Sequence, residues 1–328
     1  MHIVIAIFLM ALSVTALSIP WVRRLAIRTG FVDAPASRKM HSTPMPLMGG
    51  VAIFGGAVLA VITFFPDFPN TVAGTLLSLA VVTLVGLLDD RFGLPAWVKL
   101  AGQFVGFLIL AFFDIRVKLP LPEVVNYAIT FVWLAGISNA INFLDNMDGL
   151  SAGVSGVAAA FITLLGLQND QFLVSGLAAA VLGACLGFLR FNFKPAQIFM
   201  GDAGALFLGF LLALLGLQLR FPANSNFVTW MVPIFILGLP IFDTTLVVVS
   251  RIRRGVSPNT PGKDHLSHRL VQRGFSQREA VLMLYLLTGA GGMIAVFITQ
   301  ATILEGYLIF ATLLLLGGVA IWQLDQPV

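Results

Sequence analysis

Apolar runs about as long as a bilayer crossing recur from one end of the chain to the other, separated by short polar breaks. They fall near 2–20, 47–65, 71–88, 97–113, 125–142, 150–167, 171–189, 203–219, 227–249, 279–298 and 304–323, eleven in all. A hydrocarbon core of roughly 30 Å needs about 20 apolar residues of helix, so each run is a predicted transmembrane segment. No polar stretch is long enough for a separate soluble domain, and no repeat of fixed period is visible. The pattern predicts an all-α polytopic membrane protein, one domain over 1–328. The cytoplasmic loops are expected near 21–46, 89–96, 143–149, 190–201 and 250–278.

Composition agrees. Of 328 residues, 58% are hydrophobic and 10% charged, against about 25% charged in soluble domains. A lone cysteine, Cys185, excludes a disulfide framework and a cysteine metal cluster and reads as a small buried side chain. The first apolar run has no basic residues before it, but Arg23, Arg24 and Arg28 follow it. That order suits a retained helix that starts outside. With this orientation, sixteen of the nineteen Lys and Arg residues fall on the inner side, while Arg116, Lys118 and Arg220 stay outside. A bacterial inner-membrane protein with its N-terminus outside and its C-terminus in the cytoplasm is therefore expected. The net charge of +4 then reflects a basic cytoplasmic face suited to anionic lipid or an anionic substrate, and nucleic acid is not needed to explain it.

The acids sort by the same topology. Asp89 and Asp90 close the third run, Asp145 and Asp148 close the fifth, Asp202 opens the eighth, and Asp243 lies toward the inner end of the ninth. Asp67, Asp114, Glu123, Asp170 and Glu305 are scattered on the outer side and read as solvated charges. Six carboxylates in one layer repel one another unless cations join them. A hard divalent cation is commonly held by one or two carboxylates together with substrate phosphates. Asn142, Asp145 and Asp148 are spaced three apart, which on a helix gives one polar stripe. An acidic pair at a helix C-terminus, as at Asp89 and Asp90, opposes the helix dipole, whereas Asp202 at a helix start is favourable as a cap.

Basic groups meet these acids. The stretch "RKMHSTPMPLMGG" brings Lys39 and His41 up to a glycine pair. The inner loop after the ninth run carries "GKDHLSHRL", with His265 and His268 among Lys263, Arg269 and Arg273. Local positive charge there favours phosphate oxygens over metal. The sequence alone points to a metal-assisted phosphate site on the inner membrane face.

In order along the chain, "RKMHSTPMPLMGG", "GLLDDRFGL", "NAINFLDNMDGLSAG", "FNFKPAQIFMGDAGALFLGF", "PIFDTTLVVVSRIRRG" and "DHLSHRL" resemble the polyprenyl-phosphate N-acetylhexosamine-1-phosphate transferases. This is glycosyltransferase family 4, in the same superfamily as phospho-N-acetylmuramoyl-pentapeptide transferase. The resemblance implies transfer of N-acetylhexosamine 1-phosphate from a UDP-sugar, with UDP-N-acetylglucosamine foremost, to undecaprenyl phosphate. The products are polyprenyl-diphosphate sugar and UMP, at the start of a cell-envelope glycan. It further implies Mg²⁺ or Mn²⁺ on Asp202 with Asp145, and catalytic roles for Asp89, Asp90, Asp145 and Asp148. Substrate contacts are implied from Lys39, His41, Asn142, Asn192, Phe199, His265, His268 and Arg269. Membrane lipid is a partner, and a second copy of the chain is left open as one. The alternatives carried alongside are phospho-N-acetylmuramoyl-pentapeptide transferase and, from another class, a secondary transporter. One position departs from the motif: many relatives carry histidine where this chain has Ser267. A hydroxyl still donates a hydrogen bond but cannot hold a proton charge near neutrality, and histidine at 267 is expected to be accepted.

Overall fold

The computed structural model describes residues 1–33, 44–65, 70–258, 260 and 262–325. Helices dominate: α1 (His2–Thr29), α2 (Gly49–Phe64), α3 (Asn70–Phe92), α4 (Ala96–Phe112), α5 (Glu123–Leu144), α6 (Leu150–Gln168), α7 (Phe172–Asn192), α8 (Gly201–Gln218), α9 (Asn226–Thr229), α10 (Val232–Ile236), α11 (Gly238–Arg253), α12 (Leu266–Gln272), α13 (Gln277–Ile298) and α14 (Ile303–Leu324). A two-residue antiparallel ladder, β1 (Val32–Asp33) with β2 (Met45–Pro46), adds a minor strand component to the expected all-α fold.

Every apolar run corresponds to helix, but not every run is a full crossing. Among the described residues, eight helices are long and apolar enough to span a membrane; α2 and α4 are apolar but shorter. The ninth run, expected to be continuous over 227–249, is broken: α9 and α10 meet α11 at a 70° bend. The cause is local. Pro233 lies in the first turn of α10 and Pro240 in the first turn of α11. Proline is tolerated there because first-turn N–H groups have no intrahelical partner, but it cannot continue a ladder from the preceding segment.

Helix α8 is the axis of the bundle. Every residue from Ala203 to Gly216 is buried, against α2, α3, α5 and α6. Small residues permit this crowding, as expected where lipid tails provide no hydrophobic force between helices. A Cβ on Gly50 would fall 2.1 Å from the Gly204 nitrogen, and one on Gly86 would fall 2.6 Å from Ala203 Cα. The start of α8 is thus pressed against α2 and the end of α3. A smaller apolar cluster of Leu144, Met147, Leu150, Leu239, Leu246, Leu266, Val281 and Leu284 seats α12 against the ends of α5 and α11.

Candidate active site

The first N–H groups of a helix lack intrahelical acceptors. In α8 the preceding residue, Met200, offers no side-chain cap, and Asp90 supplies one from α3. Its Oδ1 accepts the Asp202 N–H at 2.7 Å and its Oδ2 accepts the Ala203 N–H at 3.1 Å. Asp89 faces elsewhere. It accepts the Leu94 N–H at 2.6 Å and the Lys99 ammonium at 2.9 Å. The same ammonium reaches Asp202 at 2.8 Å, and the Asn142 amide donates to the other Asp202 oxygen at 3.0 Å. Four helices therefore converge on Asp202: α3 through the cap, α4 through Lys99, α5 through Asn142, and α8 itself.

The loop between α5 and α6 completes the acidic wall. Among the described residues the Asp145 carboxylate accepts no hydrogen bond. Its enclosure, with Asp202 and Asp148 alongside, pushes its pKa up to about 7. Asp148 accepts the Ala196 N–H at 3.0 Å and meets Lys194 at 3.5 Å. Asn192 is buried and bridges two loops, accepting the Gly149 N–H and donating to the Ile198 carbonyl, each at 2.9 Å. The backbone of Phe199 is held by the Pro46 carbonyl and the Gly49 N–H. These elements enclose a cavity of about 920 Å³, with Asp89, Asp90, Asp145, Asp148, Asn192, Phe199 and Asp202 in its wall. That volume lies in the range of ligand sites of roughly 300–1,000 Å³.

The basic loop forms the other wall. Lys263 and His268 line the cavity. Burial, then the nearby charges of His265 and Lys263, lower the His268 pKa below the usual histidine value. His265 is turned inward: its Nδ1 lies 2.8 Å from Asp243, whose other oxygen accepts the Leu266 N–H at 2.7 Å. Asp243, with no role assigned from sequence, thus caps α12 and orients His265. Arg269 donates to the Asp264 and Leu324 carbonyls and to Ser250 Oγ, tying the loop to α11 and α14. Asp264 is gripped by Arg251 at 3.0 Å and Arg254 at 2.7 Å. Burial raises its pKa, but the two guanidinium hydrogen bonds outweigh that and leave it below the usual carboxylate range.

Of the residues expected at the site from sequence, Asp89, Asp90, Asp145, Asp148, Asn192, Phe199, Asp202 and His268 line one cavity. Asn142 is absent from the cavity lining and hydrogen-bonds Asp202. Asp90, grouped with Asp89 from sequence, differs from it in its partners: both its oxygens accept α8 backbone N–H groups. His265 and Arg269 were expected to contact substrate, yet neither lines the cavity; Asp243 and the α11 and α14 ends hold them instead. Lys39 and His41 lie outside the described residues. Ser267 is 1% exposed and donates to Asn146 at 2.6 Å, so an imidazole there must displace a neighbour. The site at 267 is filled, contrary to the expected acceptance of histidine. Lys99 was counted only as an inner-side charge, although it is the single charged residue of an otherwise apolar α4, and that isolation was the available signal.

Among the described residues no three His, Cys, Asp or Glu side chains converge closely enough to hold an ion unaided. The oxygen pair Asp145 and Asp202 suits a hard cation only when a ligand supplies the remaining oxygens.

Known proteins are similar to this sequence. A family model described as Glycosyl transferase family 4 matches residues 72–220. A Bacillus subtilis protein named probable undecaprenyl-phosphate N-acetylglucosaminyl 1-phosphate transferase is 35% identical, covering 97% of this chain and 91% of its own. A Mycolicibacterium smegmatis decaprenyl-phosphate N-acetylglucosaminephosphotransferase is 34% identical over 86% of this chain and 78% of its own. An Escherichia coli K12 undecaprenyl-phosphate alpha-N-acetylglucosaminyl 1-phosphate transferase is 27% identical over 83% and 77%.

Proposed function

This chain belongs to the polyprenyl-phosphate N-acetylhexosamine-1-phosphate transferases of glycosyl transferase family 4, and we propose that it transfers N-acetylglucosamine 1-phosphate from UDP-N-acetylglucosamine to undecaprenyl phosphate. One observation carries the reading: the carboxylates of Asp89, Asp90, Asp145, Asp148 and Asp202 and the cations Lys194 and Lys263 line one cavity, and Lys99 bonds two of those carboxylates. Phosphoryl transfer asks a protein for positioning and charge neutralisation more than for covalent help.

A lipid phosphate oxygen attacks the β-phosphorus of the nucleotide sugar. The new P–O bond forms as the bond to the α–β bridging oxygen breaks, and UMP leaves with that oxygen. Asp89 and Lys99 orient the incoming lipid phosphate. Asp89 has both oxygens engaged, by Leu94 N–H and Lys99, which favours direct attack over a phosphorylated aspartate. Asp202 and Asp145 would hold Mg²⁺ or Mn²⁺, which when bound neutralises charge on the diphosphate and the departing UMP. Asn142 fixes Asp202, and Asn192 holds the two loops beside Phe199, whose ring offers a face to the base.

The acidic ends of the helices coincide with the basic, cytoplasmic face that the charge distribution predicts, with the N-terminus outside and the C-terminus inside. A bacterial inner membrane suits that arrangement. The test uses purified protein in nanodiscs with undecaprenyl phosphate, Mg²⁺ and a panel of UDP-sugars. UMP release together with a lipid product of the mass of undecaprenyl-diphosphate N-acetylglucosamine is expected. Absence of UMP with every UDP-N-acetylhexosamine defeats the proposal.

A further inference from the structure

Ser267 interrupts the histidine motif of the basic loop, and nothing in the transfer chemistry uses it. Its surroundings give it another task. The first turn of α12 presents His265, Leu266 and Ser267 inward, while His268 reaches the cavity. His265 and the Leu266 N–H bind Asp243. Ser267 carries the hydrogen bond to the α5–α6 loop, where its hydroxyl donates to Asn146 Oδ1 at 2.6 Å. The Asn146 amide is fixed from its other end as well, donating to the Phe143 carbonyl at 2.9 Å. Asn146 sits between Asp145 and Asp148 and lines the cavity.

We propose that the Ser267–Asn146 hydrogen bond is a clasp between the basic loop and the acidic loop, which makes Ser267 a positioning residue for the nucleotide-sugar end of the site. The proposal rests on the transferase reading for its substrate. Its structural half, one loop holding another in register, stands apart from that reading. The clasp sets the spacing between His268 on one loop and Asn146 with Asp148 on the other. Asp89 and Lys99 belong to α3 and α4 and are not reached by it, so binding of the lipid phosphate is independent. The apolar cluster around Leu266, Leu144 and Met147 also holds the loop, so losing the clasp loosens the wall without unseating α12.

Kinetics in nanodiscs and amide hydrogen exchange across residues 262–272 test this together. Ser267→Ala is expected to raise KM for UDP-N-acetylglucosamine about fivefold, the ratio given by ~1 kcal/mol for one hydrogen bond. In that variant kcat and the KM for undecaprenyl phosphate stay within about twofold, and exchange in the first turn of α12 quickens. Ser267→Thr, which keeps the hydroxyl, restores both readouts. In an Asn146→Ala background, Ser267→Ala adds less than about twofold, because the partners are coupled. Multiplying effects of the two substitutions, equal loss with both substrates, or unchanged exchange in Ser267→Ala overturns the clasp. If the unaltered protein released no UMP, the transferase reading would fall, and the exchange data from the single and double variants would still decide the clasp.

Discussion

The two ends of the bundle treat their charges in opposite ways. At the end away from the cavity, Asp114 is met by Arg116 at 2.9 Å and by Lys118 at 2.6 Å, and Arg116 also takes Glu123 at 3.0 Å. The Asp114, Lys118 and Glu123 side chains are largely open to solvent, and the pairing lowers the Asp114 pKa. At the cavity end, Lys99 is shared between Asp89 and Asp202, Lys194 stands 3.5 Å from Asp148, and Asp145 has no partner among the described residues. Exposed pairs cost little to make or break, because water and salt screen them. Half-enclosed acids outnumbering their cations are expensive and persist only where something else supplies positive charge. Excess unpaired acid, and not acid as such, marks the working end.

The contrast is broken most severely at Asp202, onto which four helices converge. Asp202→Asn keeps the size and removes the charge, and UMP release should fall about 10³-fold, the scale of losing a principal transition-state electrostatic contact. Mn²⁺ binding, followed by electron paramagnetic resonance, should fall with it; near-normal turnover would contradict the assignment. Lys99→Met removes the shared ammonium, and a loss of about 10- to 100-fold is expected, the usual cost of a group that orients the reacting residues.

A pH series probes the unpaired acid. With its pKa pushed up to about 7, Asp145 in the metal-free protein takes up a proton as pH falls below that value. A divalent ion must displace this proton, so apparent Mn²⁺ affinity should rise from pH 6 to 7.5 and level off above. Affinity that is flat across this window would remove Asp145 from the ion's ligands. The smallest effect belongs to the opposite end: Asp114→Asn should leave turnover within about twofold, as expected for a screened surface pair.

Much of this was visible in one dimension. Apolar length alone located the long helices of the bundle, because lipid leaves a spanning segment few other ways to satisfy its backbone, though not α12 or the break in the ninth run. The acids were legible as a layer because the helix ends that carry them are set by membrane thickness. What escaped were relations across distance. Lys99 and Asp202 are 103 residues apart, and no spacing rule joins them. Asp89 and Asp90 look like a pair, yet neighbours on a helix point about 100° apart, so one meets Lys99 and the other caps the start of α8. The break after Leu237 was written in Pro233, Gly238 and Pro240, but apolar content masked it. The inward turn of His265 depends on Asp243, one helix away, and no local pattern shows it.

Helix α14 meets the rest of the protein mainly near its two ends. Gly306 and Phe310 touch Val228, Trp230 and Phe235 at one, while Arg253 and Arg269 hold Asp325 and the Leu324 carbonyl at the other. Between them it offers leucine to the surrounding lipid. How the protein is extracted therefore matters. A small, aggressive detergent that wraps α14 pulls directly on the arginines behind His268, so preparations made that way should lose turnover before they lose helix content, and returning them to bilayer should bring it back.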